Sequence, residues 1–242
     1  MLQTETTSDA DETTNSGGDL WIFAYGSLMW RPDFSYAERH AARLDGWHRR
    51  FCILSRHYRG SALHPGLLLG LDRGGFCDGM AFRVASRDAA GVLAYLRVRE
   101  QISGVYREAR LRIKLRGLPA APDQPAVRVA VVFLAEPAHP SFSAPLSVSL
   151  QARIIASAKG TTGSNLEYLA QTIEALQFLG LRERELERIA AVIGALRISR
   201  RRIIASKRWP GPVKCVVGWP RTQRVGLRDV KRFTHRTKVP GG

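Results

Sequence analysis

Cysteine is scarce in this chain: Cys52, Cys77 and Cys215 are the whole supply in 242 residues. The count is odd, no Cys-x-x-Cys spacing occurs and no His pair accompanies them, so a disulfide framework and a zinc motif are both excluded. The three thiols are expected to be small apolar filler. No run of about 18 apolar residues exists, so no transmembrane helix is expected. The opening "MLQTETTSDADETTNSGGDL" lacks a basic start and an apolar core, and so reads as neither a signal peptide nor a transit peptide. Missing too are a Walker loop, GxGxxG, GxSxG and HExxH. The six His (His40, His48, His57, His64, His139, His235) show no metal-ligand spacing. These absences point to a cytosolic, reduced protein that works without a metal or cofactor, through carboxylates, hydroxyls and backbone.

Charge of one sign is missing at one end and nearly so at the other. Residues 1–19 carry five acids and no Lys or Arg, while residues 199–242 carry thirteen Lys or Arg against one acid, Asp229. The net charge of +16 therefore divides into −5, +12 and, for residues 20–198, +9. The middle is moderately basic, which suits an anionic small-molecule substrate. Its 45% hydrophobic content, taken over the whole chain, is ordinary for a globular protein.

Three regions follow. Residues 1–18 are acidic and rich in Thr, Ser and Gly, too poor in apolar surface to repay ordering, and are expected to be disordered. Residues 19–198 hold the periodic pattern and are expected to be the catalytic domain. Residues 199–242 form a basic tail full of Pro and Gly, read either as an irregular extension, as an arm for nucleic acid or as a patch for an anionic membrane surface.

Within the middle, strands come first. "LWIFAYG" opens, "AARLDGWHRRFCILSR" is extended and bent at Gly46, and "GLLLGLDR" and "GFCDGMAFRV" flank an "RGG" that reads as a hairpin turn. "SRDAAGVLAYLRVRE" has helical period with Ser86 as a candidate N-cap. "YREARLRIKLRG" and "AVRVAVVFLA" are further strands joined by the Pro-rich loop "LPAAPDQP". Then helices take over: one capped by Ser147 or Ser149 and ending at Gly160, one striped with Leu166, Leu169, Ile173, Leu176 and Leu179, and one in "ERELERIAAVIGALRI". Strands first and helices last indicate an α+β fold with a mixed or antiparallel sheet.

Three features do not suit a plain core. Gly26 and Ser27 interrupt the apolar run "WIFAYGSLMW". Gly there marks a bulge, or a place where ligand meets backbone, or a turn needing positive φ. Successive N–H groups of Tyr25-Gly26-Ser27-Leu28 could form a nest for a carboxylate or an oxyanion. Glu100 ends an amphipathic helix, where the macrodipole disfavours a carboxylate. It is either a surface ion pair with a neighbouring Arg or a partly buried general base. Tyr168 is either a core aromatic or a phenol pointing at substrate.

The order "WIFAYGSLMWRPDF", "HRRFCILSRHYRG", "GFCDGMAFRV", "YLRVRE…GVYRE" and "QARIIASAKGTTGSNLEYL" resembles the ChaC-type γ-glutamylcyclotransferases, from about Leu20 to about Ile198. The resemblance implies a small, partly open barrel with flanking helices. It implies Tyr25, Gly26, Ser27 and Leu28 as the substrate loop, Glu100 as the catalytic group and Tyr168 as a substrate-site tyrosine. It matches Arg49, Arg50, Phe51, Arg59 and Gly60, of which the arginines either attract an anionic peptide or form surface salt bridges. The implied reaction is cyclisation of the γ-glutamyl group of glutathione to 5-oxoproline, releasing cysteinylglycine. Other γ-glutamyl peptides or amines, or a regulatory nucleic-acid-binding role through the tail, stand as alternatives, and oligomeric state stays open.

Removing residues 199–242 is expected to leave that cyclisation rate unchanged, because every candidate site residue lies between Tyr25 and Tyr168. Retention of the full chain but not the truncated one on DNA or RNA, weakening steeply between about 50 and 200 mM salt, would instead establish the arm.

Overall fold

The computed structural model describes residues 18–101, 103–121 and 124–195. The acidic N-terminal segment (Gly18 apart) and the basic tail lie outside the described residues. So do the third cysteine, Cys215, and the tip between the fourth and fifth strands.

Five strands form a closed barrel in the order β1-β3-β2-β4-β5. They are β1 (Leu20–Ala24), β2 (Glu38–Ser55), β3 (Gly66–Val84), β4 (Tyr106–Ala121) and β5 (Gln124–Ala135). All neighbours are antiparallel except β1 and β5, which close the barrel through one parallel pair, Ile22 with Val131. The expected small barrel with flanking helices is present, closed by that one pair where a partly open one was expected, and its two narrow seams are this closing pair and the β2–β4 contact at Ala42 and Arg43. Every residue of β1 is buried, which explains its unbroken apolar run. Phe51, Leu67, Leu69, Met80, Phe82 and Ile113 belong to the fully buried core.

Two expectations about turns are corrected. "RGG" is not a hairpin. The ladder from Glu38–Arg83 to Ser55–Gly66 runs through it, so β3 is one continuous strand. Gly74 (φ +96°), Gly75 (φ +66°) and, opposite them, Gly46 (φ +78°) take left-handed conformations at a register shift. Three glycines thus bend a long ribbon where two were read as a turn. The true connection of β2 to β3 is residues 56–65. The Pro-rich stretch is likewise drawn into the β4–β5 ladder, with Pro119 opposite Pro125.

Helix α1 (Ser86–Gln101) crosses between β3 and β4. Its N-terminus is not capped by its own Ser86 side chain. The Ser86 N–H instead donates to the Asp19 carboxylate at 2.9 Å, and Asp19 also pairs with Arg83. Arg97 ties the helix to β4 through Glu108 at 2.7 Å. Helices α2 (Val148–Ser157), α3 (Asn165–Phe178) and α4 (Arg184–Ala195) pack on one another beside the barrel. Ser147 caps α2 as expected, but α2 ends at Ser157 rather than at Gly160. Gly160 has another reason: a Cβ there would lie 2.4 Å from the carbonyl oxygens of His57 and Tyr58. It belongs to a short hairpin, β6 (Lys159–Gly160) with β7 (Gly163–Ser164), which clasps loop 56–65 through Thr161 and Thr162. Among the described residues no helix is long and apolar enough to cross a membrane.

Asn165 joins the helical layer to the barrel. It is fully buried, accepts from Leu67 N–H at 2.6 Å and donates to Leu67 C=O at 2.7 Å. One amide side chain substitutes for a neighbouring strand. Asn165→Ala leaves a buried donor and a buried acceptor unpaired, at a cost of about 1–3 kcal/mol for each. A matching fall in the unfolding free energy, read by urea denaturation, is expected.

Candidate active site

Chain order places three elements at one end of the barrel. β1 ends at Ala24, and Tyr25 and Gly26 lead into a single 3₁₀ turn, Ser27–Met29. α1 ends beside that turn and brings Glu100. α3 begins at the β3 edge through Asn165 and, one helical turn on, presents Tyr168. Between them opens a cleft of about 340 Å³, counting its mouth. Tyr25, Gly26, Ser27, Leu28, Glu100 and Tyr168 all line it, joined by Phe23, Leu69, Tyr106 and Phe133. Six of the eight expected site residues therefore meet in one place.

Gly26 does not need positive φ, since its φ is −133°. The space decides instead. A Cβ at Gly26 would lie 3.1 Å from the Tyr168 hydroxyl, tight enough to force that hydroxyl aside. The 3₁₀ turn is sealed by Met29 N–H donating to Gly26 C=O at 2.9 Å. A helical turn cannot satisfy its own first N–H groups, and here these belong to cleft-lining Ser27 and Leu28.

Burial pushes the Glu100 carboxyl above the usual value of 4.5, and the Arg99 guanidinium, 3.1 Å away, holds it partly back. The side chain keeps 17% exposure, enough for a ligand to reach it. Three phenols share the cleft, each with its pKa raised by burial. Tyr25 donates to Phe133 C=O at 2.6 Å, and Tyr106 donates to Leu69 C=O at 2.8 Å. Tyr168 instead accepts, from Leu69 N–H at 3.4 Å. Its proton alone among the three is left to donate to a ligand. Trp30 and Phe51 hold its ring edge-on at 5.5 and 6.2 Å.

Arg49 and Arg59 do not line the cleft, nor do they form surface salt bridges. The Arg49 side chain is fully buried, and donates to Tyr25 C=O at 2.6 Å, Asp78 C=O at 2.5 Å and Glu183 at 3.1 Å. It anchors the residue before Gly26. Arg59 donates to Ser164 C=O at 3.1 Å, pairs with Glu167 at 3.6 Å and lies 5.6 Å from the Tyr168 ring centre, behind the cleft wall. Arg50 faces elsewhere, bonded to Asp72 and Ser143. Cys52 and Cys77 are buried, with thiols pushed up to about 12 and about 11 by burial, so neither is poised as a nucleophile. Sequence reasoning missed Tyr106, whose signal was an aromatic two residues past Gly104 at the start of a strand. The Arg99-Glu100 pair stands out in the sequence as a motif, but not the reach of Arg99 to Ser27, 72 residues earlier in the chain.

A small barrel whose open end joins a buried carboxylate to a backbone turn has the fold of a crystal structure described as a glutathione-specific γ-glutamyl cyclotransferase from yeast. The likeness has a TM-score of 0.67 at 22% identity, over 74% of this chain and 97% of that one. The chain belongs to the ChaC-like protein family, whose model matches residues 20–196. It is 35% identical over 166 residues to the glutathione-specific gamma-glutamylcyclotransferase of Escherichia coli K12, covering 69% of each chain. It is also 35% identical over 179 residues to the Homo sapiens glutathione-specific gamma-glutamylcyclotransferase 1, covering 73% of this chain and 78% of that one.

Arg49→Met is expected to lower the unfolding free energy by about 3 kcal/mol, because Glu183 and the Tyr25 carbonyl lose a buried donor. Urea denaturation measures it. Wild-type stability combined with weaker substrate binding would return Arg49 to a substrate-binding role.

Proposed function

We propose that this chain cyclises the γ-glutamyl group of glutathione, releasing 5-oxoproline and cysteinylglycine. The observation that carries the reading is Glu100 in one cleft with the Tyr25–Leu28 turn, in a chain 35% identical to proteins named for that activity.

The reaction is intramolecular, so it calls for folding the substrate rather than for a protein nucleophile. The α-amine of the glutamyl residue must come within about 3 Å of its own γ-carbonyl carbon. Glu100 takes a proton from the α-ammonium, and the freed amine attacks the carbonyl. The carbonyl oxygen becomes an oxyanion. The protonated Glu100 then returns its proton to the cysteinyl nitrogen as the C–N bond breaks and the oxyanion collapses to the lactam carbonyl; the ring nitrogen gives up its second proton through Glu100 to the departing amine, which leaves as an ammonium. No water or electrons are consumed, and Glu100 ends as it began. The N–H groups at Ser27 and Leu28 serve the substrate carboxylate or the oxyanion, and the free proton of Tyr168 serves the other. Phe23, Leu69 and Phe133 keep the cleft dry, which strengthens each of these contacts. Arg49 and Arg59 act from behind by fixing the turn and the phenol. The moderately basic domain suits the anionic tripeptide. A reducing cytoplasm is where two buried free thiols and a thiol substrate belong.

Purified protein incubated with glutathione is expected to yield 5-oxoproline and cysteinylglycine in equal amounts. Free glutamate in place of 5-oxoproline would mean hydrolysis and would sink the proposal. Glu100→Gln is expected to lose at least about 10²-fold in turnover, the worth of positioned proton transfer, while circular dichroism reports an intact fold. Because Glu100 must be ionised to accept the proton, kcat/KM is expected to fall on the acid side. Because its pKa is raised, the midpoint should lie above 4.5.

A further inference from the structure

One guanidinium ties two cleft-lining groups, the Glu100 carboxylate and the Ser27 hydroxyl, to the segment that follows the turn. Arg99 reaches Glu100 through Nε at 3.1 Å and the Ser27 hydroxyl through one terminal nitrogen at 3.3 Å. Its other terminal nitrogen donates to Arg31 C=O at 2.7 Å and Pro32 C=O at 3.2 Å, and contacts Asp33 at 3.4 Å. The same nitrogen meets the Tyr95 hydroxyl one helical turn back, at 3.2 Å. The planar fork makes such simultaneous contacts possible, which a lysine ammonium could not match.

We propose that Arg99 is a positioning residue: it locks the Glu100 carboxyl and the segment 27–33 into one geometry, so that base and turn face the same bound γ-glutamyl group. This rests on reading Glu100 as the proton-transfer group. The other groups that share the cleft with Glu100 are Phe23 from β1, the Tyr25–Leu28 segment after it, Leu69 from β3, Tyr106 from β4, Phe133 from β5 and Tyr168 from α3. The phenols are neutral at physiological pH, held so by burial. Among the described residues lining or touching this carboxyl, Arg99 is therefore the one that carries charge. It has a second duty beyond geometry, since it keeps Glu100 ionised at a pH where burial alone would protonate it.

The two duties separate by substitution. Arg99→Gln removes charge and fork together. The acid limb of kcat/KM is expected to move up by about one pH unit, as for a carboxylate losing a neighbouring cation. KM should also rise by about tenfold, as for loss of a charge-assisted hydrogen bond. Arg99→Lys keeps the charge but has a single point of attachment. Its acid limb should stay at the wild-type pH while KM still rises. A carbon-13 carboxyl titration of Glu100, assigned by its disappearance in Glu100→Gln, reads the same shift without any turnover. If wild-type protein fails to cyclise glutathione, the proposed function falls, while this titration still decides the role of Arg99. An unmoved Glu100 titration in Arg99→Gln would overturn the inference. So would loss of the folded state in both Arg99→Gln and Arg99→Met, which would make Arg99 a structural residue.

Discussion

A carboxylate at the C-terminal end of a helix and withdrawn from water is unfavourable on two counts: the macrodipole opposes its charge, and burial strips its hydration. Glu100 bears both, and the rest of the site is arranged so that it can. α1 is fixed at its start by Asp19, along its length by Arg97 with Glu108, and at its end by Arg99. With the helix held at three points, its last turn stays against the cleft, and the Arg99 guanidinium holds the carboxyl there. The cost of the placement stays as a pKa raised by burial, which suits the proton-transfer role proposed for Glu100.

β3 is the element against which the other parts are measured. Leu69 alone takes Tyr168 on its N–H and Tyr106 on its carbonyl, so two walls of the cleft share one peptide reference. Two residues away, Leu67 holds Asn165 and with it the start of α3. Three residues of the motif Asn165-Leu166-Glu167-Tyr168 are thereby explained. Asn165 bonds the strand, Glu167 pairs with Arg59, and Tyr168 enters the cleft. Gly26 belongs to the same set, because the phenol occupies the room its side chain would take.

Much of this was legible in the sequence. The strands-then-helices order gave the class, and a carboxylate misplaced at a helix end singled out Glu100. The Gly-Ser break in an apolar strand drew attention to the turn. What stayed hidden follows from geometry that pattern cannot encode. Register shifts after Asp45 and after Phe51 upset the two-residue alternation of β2, so parity could not tell which way Arg49 and Arg50 face. Gly74-Gly75 has the composition of a hairpin turn, and only Gly46 on the partner strand, with the continuing ladder, makes it a bend. The Asp19 cap spans 67 residues and the Arg99 contacts with Ser27 and Pro32 span 72 and 67, where local spacing carries no signal.

The closing seam of the barrel has a consequence for how the protein is made. β1 leaves the ribosome first, yet its partners β3 and β5 come later, and the Tyr25 hydroxyl waits for Phe133, 108 residues downstream. Joining such distant segments is entropically slow compared with forming local structure. The Tyr25–Leu28 turn, born early, is therefore fastened only when the fifth strand arrives, and Tyr168 is synthesised later still. A nascent or prematurely terminated chain lacks the assembled cleft. Translation itself thus acts as a timer, and the cleft assembles only after the domain is nearly whole.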